Sequence, residues 1–194
     1  FGARLSTVSG VTQAGRVYVF NRSGDTWVPA ANIPTTTPSP YEAFGSIVAI
    51  SDDGTELLVG APGTGDVGSV ITGTVSYYKL IGGTWTFQYK IQTPNPTPGI
   101  DSFGHTVAAD GSFTKLFISA RTETGVNPNE GAGYLYTKEN GAWVYQEKVT
   151  APYIGLKMRF PQTAMMSADG QTLVCGNPST DQLYSDSGSV YVYK

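Results

Sequence analysis

Three tryptophans, Trp27, Trp85 and Trp143, stand 58 residues apart, and this spacing constrains the chain more than any single motif in it. Three further series keep nearly the same step. Phe44-Gly45, Phe103-Gly104 and Phe160-Pro161 recur at intervals of 59 and 57 residues. Gly2-Ala3, Gly60-Ala61, Ser119-Ala120 and Gly176-Asn177 form another series. Phe20, Tyr78, Tyr136 and Tyr193 each close a short run: VYVF, VSYY, GYLY and VYVY. From each Phe to the second residue of the following Gly-Ala-type pair is 17 residues every time. Four markers in one register make the chain a repeat of a single supersecondary unit that is stable only when stacked on its neighbours.

Each unit reads as four short strands. The first follows the Phe-Gly pair through SIVAIS, HTVAA or QTAMMS, alternating small or apolar with polar residues. A tight turn follows at Asp52-Asp53-Gly54, Asp110-Gly111 or Ala168-Asp169-Gly170, where Asp and Gly supply turn conformations. The second strand, ELLVGA, KLFISA or TLVCGN, is nearly all apolar, as a strand covered on both faces must be. A longer loop rich in Gly, Ser and Thr leads to the VYVY-type third strand. A second turn (21–25, 81–83, 139–141) then leads to a fourth strand that carries the Trp, and Pro-rich connectors return to the next Phe. Four antiparallel strands per unit of this length predict an all-β chain of β-propeller blades, about 3.3 repeats of about 58 residues. The expected divisions are a partial blade over 1–42, blades over 43–100 and 101–157, and a partial blade over 158–194. Strands one and two are expected near the axis, with Trp and Tyr filling the space between sheets.

Composition agrees and excludes several function classes. Charged residues make up 14% of the chain, against roughly 25% in an average soluble domain, while Gly numbers 24 and Pro 12. A net charge of −3 argues against nucleic-acid binding, which needs a basic face. No apolar run approaches the roughly 18 residues of a membrane-spanning helix, so membrane insertion is not expected. One Cys and one His leave no disulfide framework, Cys cluster or multi-His zinc site. Cys175, inside an apolar strand, reads as a small buried hydrophobe, and His105 as a structural residue at the head of a first strand. No nucleophile elbow or phosphate loop is present, and Asp52 and Asp53, adjacent in a turn, do not face each other as glycosidase carboxylates must. The expectation is a protein that is not an enzyme.

The order Phe44-Gly45-Ser46-x-Val48-Ala49, Asp53-Gly54, Leu58-Val59-Gly60-Ala61-Pro62, Gly73-x-Val75-x-x-Tyr78 resembles the FG-GAP repeat. That repeat builds the seven-bladed propeller of integrin α-subunits and occurs in many surface proteins. The resemblance covers essentially the whole chain, is clearest in the second unit, and fades in the fourth, where Phe160-Pro161 and Gly176-Asn177-Pro178 replace the consensus. It implies an extracellular or cell-surface scaffold for adhesion or ligand binding. Some FG-GAP repeats also hold calcium on a run of carboxylates between strands one and two. Here that segment is shortened to turns with one or two acids, too few oxygen ligands for a hard cation. No cofactor is therefore expected; the residues left to carry calcium are Asp52 and Asp53 in a turn and Asp181 and Asp186 in a loop.

Propellers usually bind at one end, which points to the second-to-third-strand loops, residues 62–73, 121–132 and 178–188. Asp66, Glu123, Glu130 and Tyr184 are their candidate binding residues. Asn21-Arg22-Ser23 is an N-glycosylation sequon. The connector with Thr35, Thr36, Thr37 and Ser39 is a candidate for O-linked glycans if it is not simply a stiff polyproline-like crossover.

The register opens on a second strand and stops after a third, so the expectation is either a segment of a larger ring or a chain completed by other copies. The absence of an initiator Met and of a signal peptide suits a segment. The leading functional expectation is a non-enzymatic extracellular binding or adhesion module with a protein or glycan ligand. The alternatives are a structural subunit of a filament, appendage or virion spike assembling by blade or strand complementation, and a carbohydrate-binding accessory domain.

Overall fold

The computed structural model describes residues 1–63, 71–94, 96, 100–152, 158–178 and 187–194, without the side chains of Ile71 and Ile100. Among these residues there are fourteen strands and no helix. Blade 1 comprises β1 (Gly2–Ala3), β2 (Arg16–Ser23) and β3 (Thr26–Pro34). Blade 2 is β4 (Ile47–Ile50), β5 (Glu56–Ala61), β6 (Ile71–Ile81) and β7 (Thr84–Gln92). Blade 3 is β8 (Ile100–Ala109), β9 (Lys115–Ala120), β10 (Ala132–Glu139) and β11 (Ala142–Val149). Blade 4 holds β12 (Thr163–Met166), β13 (Leu173–Asn177) and β14 (Ser189–Tyr193). This is the strand arithmetic of the sequence, with Ile100 already inside β8. β12 pairs with β13 in its own sheet and does not complete blade 1.

The hairpins between third and fourth strands are tighter than the sequence predicts. Their loops are two residues each, Gly24-Asp25, Gly82-Gly83 and Asn140-Gly141. The left-handed φ of Gly82, Gly83, Asn140 and Gly141 matches the turn that right-twisted strands require. Asn21 therefore belongs to β2, exposed near its end, rather than to a turn. Each of these hairpins also carries a bulge at one repeat position: Val19/Phe20, Tyr77/Tyr78 and Leu135/Tyr136. Consecutive side chains of a strand point to opposite faces: Tyr77 joins the core between blades 2 and 3, and Tyr78 the core between blades 1 and 2.

The core lies between blades, in three apolar clusters. Val17 and Ile33 meet Leu57, Val59 and Tyr78 at the first joint. Leu58, Val75 and Tyr77 meet Ile118, Tyr136 and Trp143 at the second, and Ala108 and Phe117 meet Leu173 and Cys175 at the third. Aromatic packing between sheets holds for Trp143, which is 8% exposed, and for the half-buried Trp85, but not for Trp27, which is 65% exposed. Trp85 and Trp143 each pack toward the preceding blade; no blade precedes Trp27 among the described residues.

Neighbouring blades also touch through backbone. Gly15 pairs with Phe44 in a parallel bridge, and Gly73 with Phe103. The latter contact joins β6 to β8, so blades 2 and 3 form one eight-stranded ladder rather than two separate sheets. At the third joint the Phe160 N–H donates to the Glu130 carbonyl at 2.7 Å. A Cβ on Gly15, Gly73 or Gly131 would lie 2.0, 2.1 or 2.2 Å from the carbonyl oxygen of Phe44, Phe103 or Phe160. These glycines form a fifth repeat series.

Candidate functional site

The blades converge where second strands end and first strands begin. Arg4 follows β1, Pro62 and Gly63 follow β5, and Arg121 follows β9, while Ala43 and Ser46 precede β4 and Ser102 and His105 lie in β8. These residues line one open polar cavity of about 570 Å³, fed by three different blades. The Ser46 hydroxyl donates to the Ala43 carbonyl at 2.8 Å, and the Thr122 hydroxyl donates to Ser102 Oγ at 2.8 Å. Ala43, Ser102 and Arg159, each the residue before the Phe of its unit, all adopt a left-handed φ (57°, 54° and 55°), and the first two line this cavity.

The electrostatics of the cavity are one-sided. Among the described residues no carboxylate pairs with Arg4, Arg121 or Arg159; the ion pairs use Arg22, Lys90, Lys138 and Lys148 instead. Arg121 Nε is buried and has no hydrogen-bond partner. Burial, and then the neighbouring Arg159 charge, disfavour the Arg121 cation. Burial, and then Arg121, push His105 down to about 4, so its imidazole is neutral at pH 7. The cavity thus presents fixed positive charge, neutral imidazole and hydroxyls, a set suited to holding an anionic group.

The candidate binding acids behave differently from expectation. Glu123 is 2% exposed; its carboxylate takes Lys148 Nζ at 2.5 Å and the Tyr134 hydroxyl at 2.5 Å. A carboxylate this buried is stable only when paired, so Glu123 is a structural acid. Glu130 accepts the N–H groups of Val126 (3.0 Å) and Asn127 (2.7 Å), and it ties its own loop. Asp66, Tyr184, Asp181 and Asp186 lie outside the described residues.

Of the turn acids, Asp53 is bonded through its side chain and Asp52 through its backbone. Asp53 accepts from Ser51 Oγ at 2.6 Å and from the Thr55 N–H at 3.0 Å, and these bonds hold its carboxyl below the usual range. The Asp52 N–H donates to the Gly111 carbonyl of the next blade at 2.9 Å. Among the described residues no three His, Cys, Asp or Glu side chains are placed to share a metal ion. In the connector, Thr35 is buried and its hydroxyl donates to Glu42 at 3.0 Å, which leaves no room for a glycan. Ser39 Oγ is buried too, while Thr36 and Thr37 are exposed.

Arg4, Ser46, Ser102 and Arg121 were not singled out by sequence reasoning. A signal existed: the residue after each Gly-Ala-type pair alternates Arg4, Pro62, Arg121, Pro178.

No family model and no curated protein matches the chain. Solved structures do match its fold. A candidate 6-phosphogluconolactonase from Bacteroides uniformis superposes with a TM-score of 0.63 at 13% identity, covering 94% of this chain and 45% of that one. A protein from Lactobacillus plantarum gives 0.58 at 14% identity, covering 92% and 45%, and the Dos1 propeller gives 0.53 at 11%, covering 92% and 41%. The chain spans less than half the length of these structures. At such identities the likeness establishes the β-propeller fold and nothing about activity.

Proposed function

We propose that this chain is a non-enzymatic binding module of FG-GAP type, acting outside the cell or at its surface, whose protein or glycan ligand places an anionic group beside Arg121. One observation carries the reading: the buried, unbonded Arg121 Nε beside a polar cavity to which three blades contribute and where no described carboxylate answers the arginines. A buried guanidinium donor without a partner forgoes a charge-assisted bond that a carboxylate or sulfate would supply. His105 lines the same cavity and adds a hydrogen-bonding group. Adhesion then works as in other propellers, with a stiff ring holding convergent loops. The likeness to a protein described as a lactonase is one of fold and gives no reason to assign its chemistry here.

The test is a glycan array carrying matched neutral, carboxylated and sulfated glycans, with acidic and neutral peptides spotted beside them. The expected result is retention on anionic members and at least a tenfold loss with Arg121→Gln, the weight of a charged hydrogen bond. Equal retention on neutral members, or an Arg121→Gln profile unchanged from wild type, overturns the reading.

A further inference from the structure

The polar cavity shared by three blades is lined by more than charge. A carboxylate or sulfate accepts hydrogen bonds and donates none, so a site for a bare anion needs donors alone. This cavity mixes donors with acceptors. Ser46 commits its proton to the Ala43 carbonyl at 2.8 Å, which leaves its lone pairs to face a ligand. Ser102 is the reverse: its Oγ accepts from Thr122 at 2.8 Å, and its own proton has no acceptor among the described residues. The neutral His105 imidazole carries one donor and one acceptor nitrogen. All three line the same cavity as Arg121, and its volume of about 570 Å³ lies within the range of small-molecule sites.

A second observation lies at the cavity wall. Tyr41 is 63% exposed, although the adjacent Glu42 is fully buried and accepts the Thr35 hydroxyl at 3.0 Å. The Tyr41 N–H donates to the Thr12 carbonyl at 3.1 Å. Its own carbonyl lies against Gly63, where a Cβ would stand 2.0 Å from the oxygen. Gly63 and Ala43 both line the cavity, so the backbone of Tyr41 abuts its wall. That backbone holds a left-handed φ of 61°, a conformation that persists in a bulky residue only where the surroundings impose it. An aromatic side chain held in solvent by a fixed backbone has little freedom to lose on binding. Tyr41 leads into blade 2, and Ser46, Ser102, His105 and Arg121 belong to blades 2 and 3, each of which has a neighbour on both sides.

We propose that the group bound beside Arg121 is an acidic sugar residue, with its charge on the Arg121 guanidinium, its hydroxyls on Ser46, Ser102 and His105, and the apolar face of its ring on Tyr41. This rests on the reading of Arg121 as an anion site and names the chemistry of the occupant. A sugar hydroxyl both donates and accepts, so one ring serves the Ser46 lone pairs and the Ser102 proton together. An isolated carboxylate would instead turn a negative charge toward the Ser46 oxygen. An acidic peptide offers one N–H per residue along its backbone, whereas a pyranose gathers several hydroxyls around the charge it carries. A guanidinium takes either a carboxylate or a sulfate, so uronic and sulfated sugars share this chemistry, and separate arms of the test tell them apart.

The test follows the resonance of the single histidine by NMR in the 194-residue chain. The probes are D-glucuronic acid, glucose 6-sulfate, glucose, acetate, inorganic sulfate and a short glutamate peptide, each titrated separately. One or both acidic sugars are expected to bind at least tenfold more tightly than any of the other four. Arg121→Gln is expected to abolish the advantage of the acidic sugar over glucose. Tyr41→Ala, which removes an exposed ring, is expected to weaken the acidic sugar at least threefold, the scale of a lost aromatic contact, and Tyr41→Phe to restore most of that loss. Acetate, sulfate or the peptide matching the acidic sugars overturns the proposal and leaves the anion site standing. An unchanged affinity in Tyr41→Ala overturns it as well. Glucose matching glucuronic acid, or no response to any anion, overturns both the proposal and the reading of Arg121 beneath it.

Discussion

At the scale of single residues, the turn between the first and second strands shows one physical requirement met by two sequences. In blades 2 and 4 a serine donates to an aspartate two residues on, Ser51 to Asp53 at 2.6 Å and Ser167 to Asp169 at 2.5 Å. In blade 3 the two positions are exchanged: Ser112 donates to Asp110 at 2.6 Å. The N–H groups served are the same in register. Glu56 and Thr172 donate to serine hydroxyls, Thr55 and Gln171 to aspartates, and Thr114 and Lys115 both to Asp110 at 2.7 Å. Burial pushes the Asp110 carboxyl up, but bonds from Ser112, Lys115 and Thr114 outweigh it and hold it below the ordinary value. Asp110→Ser alone is expected to destabilise by about 1–3 kcal/mol, the range for buried donors losing an acceptor. Asp110→Ser with Ser112→Asp should recover most of that in urea titrations, because it restores the arrangement of blades 2 and 4.

His105 offers a second test at this scale, since it is the single histidine and its resonance needs no assignment. Its pKa is expected near 4 by NMR titration, and Arg121→Gln should raise it by removing a repelling charge. The sign for stability follows. The unfolded imidazole binds a proton near 6.5 and the folded one only near 4. The contribution of neutral His105 is therefore complete above pH 6.5 and is lost as pH falls from there toward 4. His105→Asn should flatten the melting temperature over that window.

At the scale of elements, the glycines between blades act as spacers for close approach. Gly131 combines a φ of 78° with a Phe160 carbonyl oxygen 2.2 Å from where a Cβ would stand, whereas at Gly188, with a φ of 72°, a Cβ would meet Pro178 and Asn177 at ordinary contact distances of 3.5 and 3.6 Å. Gly188→Ala is expected to cost about 1–2 kcal/mol, the penalty of a left-handed conformation for an L-residue. Gly131→Ala must also separate two backbones, and its urea midpoint should fall well below that of Gly188→Ala. Equal midpoints would show that the joint tolerates the shift. Hydrogen bonds between successive first-to-second-strand turns add to the same joints, from the Asp52 N–H to the Gly111 carbonyl and from the Gly111 N–H to the Ala168 carbonyl at 3.1 Å.

At the scale of the whole molecule, the apolar clusters join neighbouring blades. The second joint is fastened by an ion pair from Lys138 of blade 3 to Glu56 of blade 2, with the ammonium 4.7 Å from the Trp143 ring and the Tyr77 hydroxyl donating to Glu56 at 2.7 Å. Removing one partner of a buried pair strands the other, at roughly 3–5 kcal/mol. Lys138→Met is expected at the lower end of that range by thermal unfolding, because both side chains retain some solvent contact. Replacing both, with Glu56→Leu and Lys138→Met, should cost less than Lys138→Met alone.

By itself, the sequence determined the repeat, the four-strand unit, the order of second, third and first strands, and the turns between them. These follow from local rules: alternation of period two, turn chemistry at Asp and Gly, and a register printed in one chain by four markers. The tertiary structure decided which copies of an identical position are covered. Trp143 is buried and Trp27 exposed although both head a fourth strand, because burial is set by a neighbouring blade some 58 residues away and not by the residue itself. It also decided that Glu123 turns inward to Lys148 while Arg4, His105 and Arg121, more than a hundred residues apart at their extremes, meet around one cavity. The pattern along a strand fixes the face of a side chain, but only the stacking of sheets fixes what that face meets.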